Sequence, residues 1–317
     1  MSETVLPWHI AQWQQLETLR ESDRLPHALL LSGPEGIGKR RFARVLMRAL
    51  VCESPTGEGA CGNCRACHFE MEHPDLHTVT APEGKKQIAV DQVRELVEIC
   101  NKTAHSSGGR KVIQIYPADA MNNSTANALL KTLEEPSGDT VIILISDAPA
   151  RLLATIRSRC RQMAFPVPER SLALDWLRVM IPDEGQCMAC LDEMAGRPLA
   201  AKALFEEDGL ALRRQCDEAL SAWAGGQKTL GDTVELLLER DLEFLLEWLT
   251  QRFHALFRAA MAGQGAQLAA PWLQWVSRPA TDISRQLDAS LEMRAQVQRG
   301  VALNKRLALE SFLIAWA

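Results

Sequence analysis

Aromatic residues are scarce in this 317-residue chain, at 5%, and the basic excess typical of proteins that coat nucleic acid is missing. Lys and Arg number 35 against 40 Asp and Glu, a net charge of -5. Adhesion to phosphate backbones by bulk charge and a stacking platform for bases are both poorly provided for, so any nucleic-acid contact must be local or shared with partners. A long apolar run is lacking too. The extended uncharged stretch from Ala259 to Ser277 is broken by Gly263, Gln264, Gly265, Gln267, Pro271 and Gln274, too polar for a membrane span. Met1 to Leu16 has no basic start followed by an apolar core, which argues against a secretory signal and for a cytoplasmic protein with no membrane partner. In that compartment thiols stay reduced, so the nine cysteines do not form a disulfide framework; the clustering of four of them between Cys52 and Cys67 points to a metal instead.

What is present is globular: 47% hydrophobic and 24% charged residues, and a length that suits two or three domains. Short runs rich in Val, Ile and Leu predict buried strands at Ala28 to Ser32, His77 to Ala81, Val112 to Ile115 and Val141 to Ser146. Helices are predicted after Gly38, over Asp91 to Cys100, and from Ser124 to Glu135, where Pro136 stops the last one. Strands separated by helices imply βαβ units on a parallel sheet over residues 1–165, closed by a hinge at Pro166 and Pro168. No strand is predicted beyond Glu169. Short helices over Ser171–Met180, Gln186–Met194 and Leu199–Phe205 suggest a small helical domain over 166–208. Longer apolar stripes follow, one through Leu245, Leu249, Phe253, Leu256 and Ala260 and another opened by Ile283, Leu287 and Leu291; they predict a helical bundle over 209–317. Gly225-Gly226 and Gly263 to Gln267 read as loops, and there is no internal repeat.

Gly33-Pro34-Glu35-Gly36-Ile37-Gly38-Lys39 lies between a predicted strand and a predicted helix. In that setting a G-x4-G-K loop wraps phosphate in backbone N–H groups, with the helix dipole and Lys39 adding positive charge. A working loop continues with Ser or Thr as a magnesium ligand; here Arg40 follows, which has no acceptor oxygen. The strand ending at Ile115 runs into Tyr116-Pro117, where hydrolysis needs an acidic pair, and neither residue holds metal or takes a proton. Asp119, three residues on, reads as a turn or cap residue. Cys52, Cys61, Cys64 and Cys67 form C-x8-C-x2-C-x2-C in polar sequence. That spacing suits structural tetrahedral zinc with no open position, an iron–sulfur cluster being the other chemistry compatible with it. His73-Pro74-Asp75 and His77 read as loop and strand-entry residues, and Cys187 and Cys190 as helix-core cysteines. Arg159, in Ser158-Arg159-Cys160 after a predicted short helix over Ala150 to Arg157, is either a solvated helix-end cation or a guanidinium able to reach a neighbouring protein's phosphates. Arg40, Arg44 and Arg48 form a stripe that reads as a solvated helix face before a DNA contact.

Taken in order, Leu25-Pro26-His27-Ala28-Leu29-Leu30-Leu31, the loop Gly33 to Lys39, the cysteine knuckle, Asn127-Ala128-Leu129-Leu130-Lys131-Thr132-Leu133-Glu134-Glu135-Pro136 and Ser158-Arg159-Cys160 resemble the bacterial clamp-loader subunits of the AAA+ class, over the whole chain. The resemblance implies a P-loop-type α/β domain with a zinc module at 52–67, a helical lid, and a C-terminal collar through which subunits associate. It makes Cys52, Cys61, Cys64 and Cys67 zinc ligands and Arg159 a finger entering the ATP site of an adjacent motor subunit. The implied partners are gamma/tau and delta subunits in a five-subunit ring, the sliding clamp and primer-template DNA. Where the family's motors keep Ser or Thr after the lysine, Asp-Glu after the strand and an arginine in the lid, this chain has Arg40, Tyr116-Pro117 and Leu199. Those departures imply a subunit that does not bind ATP productively through Gly33, Gly36, Gly38 and Lys39. The alternatives are an active gamma/tau-like ATPase, in which Lys39 and Asp119 suffice for slow turnover, and a zinc-knuckle DNA-binding protein.

Overall fold

The computed structural model describes residues 4–104, 110–262, 268 and 270–316. The chain divides into two compact units between Glu207 and Asp208. In the first, helices α1 (Ile10–Glu21), α2 (Lys39–Val51), α3 (Arg65–His68), α4 (Val90–Asn101), α5 (Asn123–Glu134) and α6 (Ala154–Arg157) alternate with strands. The strands are β1 (Ala28–Ser32), β2 (Leu76–Val79), β3 (Arg110–Ile115), β4 (Asp139–Ser146) and β5 (Arg161–Ala164), in the order β2-β3-β4-β1-β5, and every ladder is parallel.

Successive side chains of β1 and β4 serve opposite faces of the sheet. Leu29, Leu31, Ile143 and Ile145 join Phe42, Leu46, Trp13 and Leu16 on one face, while Ala28, Leu30, Ile142 and Leu144 join Leu96, Leu129, Leu133 and Ile156 on the other. Burial on both sides explains why these strands are continuous apolar runs. Because β1 lies between β4 and β5, the loop leaving β1 opens beside the end of β4, with Ser32 opposite Ser146. This is where the strand order reverses and a crevice forms at the carboxyl ends of the strands.

Apart from α1, which was not expected, three features depart from the sequence-based expectations. β5 was not expected, since among its four residues Met163 alone is buried, as befits an edge strand. The helix expected over Ala150 to Arg157 is instead a 3-10 turn, Pro149–Arg151, followed by α6; buried, extended Leu152 separates them. The Arg40, Arg44 and Arg48 stripe is not uniformly solvated: Arg40 is exposed, but Arg44 and Arg48 are half-buried.

Helices α7 (Arg170–Arg178), α8 (Glu184–Glu193) and α9 (Pro198–Glu206) pack on one another within the first unit, and Cys187 and Cys190 are buried there. The second unit holds α10 (Gly209–Ala224), α11 (Leu230–Leu238), α12 (Leu242–Ala262), α13 (Ala280–Gln298) and α14 (Lys305–Trp316). Its core gathers Leu245, Trp248, Phe253, Trp272, Ile283 and Trp316. Inside it the buried carboxylate of Asp217 accepts from Trp248 Nε1 at 3.0 Å and Trp272 Nε1 at 2.7 Å, and from Arg252 Nε at 2.9 Å and Nη2 at 2.7 Å. The loop expected at Gly263 to Gln267 lies outside the described residues. Among those residues, no helix is long and apolar enough to cross a membrane.

Candidate functional site

The loop between β1 and α2 has the turn its glycines predict. Gly36 takes φ 80° and Gly38 φ 101°, left-handed values that favour glycine. Lys39 is 3% exposed, and its ammonium donates to Gly33 O at 2.7 Å, Pro34 O at 2.7 Å and Asp147 Oδ1 at 2.5 Å. An ammonium has three protons, and all three are taken. Asp147 lies one residue past β4 and is fixed from behind: Asp119 Oδ1 accepts from its backbone N–H at 3.1 Å and from Ser146 Oγ at 2.7 Å. Asp119 is thus a tie between a 3-10 turn and the end of β4. The first turn of α9 closes over the loop, with Leu199 N and Ala200 N donating to Gly36 O at 2.9 and 3.3 Å. A Cβ on Gly36 would lie 2.6 Å from Ala200 Cβ, and one on Gly38 would lie 2.4 Å from Leu6 Cδ1. Behind the loop, buried His9 stacks edge-on against Phe165 and Phe42, and burial pushes its pKa down to about 4.

Arg40 and Tyr116, at positions where the resemblance expects metal-binding types, meet across the loop. The Arg40 guanidinium carbon is 5.3 Å from the Tyr116 ring centroid, a cation–π contact. Neither side chain presents a carboxylate to a cation.

Arg159 lies between α6 and β5. Its Nε donates to Glu134 Oε1 at 2.6 Å, its Nη2 donates to the same oxygen, and Nη1 donates to Thr155 O at 3.0 Å. Glu134 ends α5 and Thr155 sits in α6, so the guanidinium ties the end of one helix to the single turn of the other. The pair is solvent-accessible, at 33% for Arg159 and 49% for Glu134.

The sulfurs of Cys52, Cys61, Cys64 and Cys67 lie within 4.8 Å of one another. Cys52 follows α2, Cys61 comes from the loop, Cys64 caps α3 and Cys67 lies within it. The separations Cys52–Cys64, Cys61–Cys67 and Cys52–Cys67 are 3.8, 3.9 and 3.6 Å. Tetrahedral Zn–S bonds of about 2.3 Å require about 3.8 Å between sulfurs, so the donor set fits such an ion. Backbone N–H groups of Asn63 and Cys64 pull the Cys61 thiol down to about 6, whereas burial pushes Cys67 up to about 12 and raises Cys52 as well. His73 and His77 are not part of the cluster. The module is anchored by Trp13 Nε1, which donates to Gly57 O at 2.7 Å.

A family model described as "DNA polymerase III, delta subunit" matches residues 8–169. A curated relative from Pseudomonas aeruginosa, "DNA polymerase III subunit delta'", is 38% identical over 99% of this chain and 97% of its own. The chain belongs to the DNA polymerase III delta-prime family. The Escherichia coli delta-prime subunit is 34% identical over 97% of this chain and 94% of its own. A gamma subunit-related protein of DNA polymerase III from Thermotoga maritima shares the fold, with TM-score 0.51, 19% identity, and coverage of 95% of this chain and 97% of that one. The five-stranded parallel sheet and helical additions are those of an AAA+ P-loop-type domain followed by helices.

Within this delta-prime-family chain the structure brings Gly33, Gly36, Gly38 and Lys39 together, gathers the four cysteines, and puts Arg159 apart from both groups. The sequence reading gave no role to Asp147 or Glu134, the acidic partners of the two cations. Their partners are 108 and 25 positions away, and only the adjacency of β1 to β4 and of α5 to α6 reveals them.

Proposed function

We propose that this delta-prime-family chain is a non-hydrolysing subunit of the DNA polymerase III clamp loader in the cytoplasm. In this reading it sits in a five-subunit ring with gamma/tau and delta subunits, takes part in ATP-driven loading of the sliding clamp at primer-template DNA, and lends Arg159 to a neighbouring motor subunit. The observation that carries the reading is the state of Lys39: its three donors are spent on the chain itself, so phosphate must break an internal ion pair to bind. Arg40 and Tyr116 on the metal side, and Leu199 from the lid, support it. Arg159 acts in trans as a permanently charged fork for phosphate oxygens; elsewhere such fingers contribute on the order of 10³ to 10⁵ in rate. Residues 1–165, 166–208 and 209–317 serve as AAA+ domain, lid and collar.

Calorimetric titration with magnesium-ATP tests the closed loop, with no binding expected up to millimolar nucleotide. Micromolar, magnesium-dependent binding would favour the gamma/tau-like ATPase instead. In the reconstituted ring, Arg159→Ala is expected to leave assembly intact and to cut DNA-stimulated turnover to what the remaining sites supply; unchanged turnover refutes the finger.

Cys52, Cys61, Cys64 and Cys67 hold zinc in this reading. Four thiolates complete its shell, so the ion supplies a cross-link between the end of α2 and α3 and no chemistry. Elemental analysis should give one zinc per chain, lost in Cys64→Ser together with thermal stability. Iron in its place would show as visible absorption.

A further inference from the structure

Both Nε and Nη2 of Arg159 point at a single carboxylate oxygen of Glu134. That edge of a guanidinium, two parallel N–H groups, is the one that forks onto phosphate oxygens. A third donor, Nη1, is occupied by Thr155 O. Glu134 therefore competes with a phosphate for the same face of the same group. The finger is not merely exposed beside an acid; the same N–H edge that would fork onto phosphate oxygens is held on the single oxygen Oε1 of Glu134.

We infer that Glu134 is a latch that parks Arg159 on its own subunit until a neighbour's nucleotide displaces it. The inference rests on the reading of Arg159 as a trans-acting finger. The partner chemistry is a polyphosphate: a terminal phosphoryl group carries more negative charge than one carboxylate and offers several acceptor oxygens, so it wins the fork once within reach, whereas an empty neighbouring site leaves the latch shut. The pair is suited to exchange, because solvent-exposed ion pairs are weak and release at small cost. Glu134 is in this sense a positioning residue, acting through Arg159. Helix α5 delivers it by ending at that residue, with Pro136 preventing continuation.

The test is DNA-stimulated ATPase in the reconstituted ring containing the full chain, with assembly checked for each variant. Glu134→Ala should raise turnover about two- to fivefold at low ionic strength, the range over which removing an exposed pair shifts a two-state equilibrium. The gain should shrink as salt screens the wild-type pair, and Glu134→Gln, which keeps an acceptor without charge, should give a smaller rise. In an Arg159→Ala background Glu134→Ala should do nothing further, a dependence that a purely structural role would not produce. Unchanged turnover in Glu134→Ala with a strong defect in Arg159→Ala overturns the latch and spares the finger. Reduced turnover in Glu134→Ala overturns it too, by making Glu134 a support for the engaged conformation. No defect in Arg159→Ala removes the finger and the latch with it.

Discussion

Two cation–carboxylate pairs stand at opposite ends of the parallel sheet of the first unit, Lys39 and Asp147 beyond the carboxyl ends of β1 and β4 and Glu134 and Arg159 ahead of β4 and β5, and they differ in depth. Lys39 and Asp147 are 3% and 22% exposed, whereas Arg159 and Glu134 are 33% and 49% exposed. Depth decides what each pair can do. A buried pair that loses one member leaves an uncompensated charge in low dielectric, which costs about 3–5 kcal/mol, while an exposed pair contributes about 0.2–1 kcal/mol. The first pair is therefore fixed in place, and the second is exchangeable. The two pairs differ because the first turn of α9 covers the loop that holds Lys39, whereas Arg159 and Glu134 stay in contact with solvent.

The contrast breaks most clearly at Asp147. Asp147→Ala should lower unfolding free energy by about 3 kcal/mol, the lower end of the buried range because Asp147 keeps some solvent. The double variant Lys39→Met/Asp147→Leu should recover most of it, and denaturant melts of all three chains decide the matter. If Asp147→Ala costs no more than Glu134→Ala, the two pairs are alike and the argument from depth fails.

Acid should find the closed side of the molecule first. His9 has its pKa pushed from 6.5 down to about 4 by burial, with Lys39 and then Arg41 adding to the effect. Between those values the unfolded chain binds a proton that the folded chain refuses. The stability from keeping His9 neutral is therefore complete above pH 6.5 and is lost as pH falls toward 4, by about 3 kcal/mol in all. His9→Phe should flatten that slope between pH 7 and 5; an unaltered slope would remove His9 from the account. Smallest of all, Glu134→Ala should change unfolding free energy by less than about 1 kcal/mol, leaving its effect to be read in ring turnover alone.

Sequence reading found what periodicity encodes. β1 and β4 are apolar on both faces, α5 ends before Pro136 as expected although it starts at Asn123 rather than Ser124, and Gly36 and Gly38 take left-handed conformations in the loop. Edge strand β5 stayed hidden because three of its four residues face solvent, and α1 because Trp13 and Leu16 are its main buried apolar side chains. Asp119 looked like a turn residue and is one, yet its carboxylate reaches Ser146 and Asp147 across the sheet edge. Such contacts depend on strand order, which no local pattern states.

The Asp217 knot in the second unit turns that part of the chain into its own spectroscopic label. Five of the eight tryptophans, Trp223, Trp248, Trp272, Trp275 and Trp316, belong to it, and Trp272 stacks edge-on with both Trp248 and Trp275. With two indoles fixed on one carboxylate and Trp316 closing the same ring cluster, near-ultraviolet dichroism and intrinsic emission are weighted toward these helices. Events that disturb their packing can be followed in the unlabelled protein, with no dye attached.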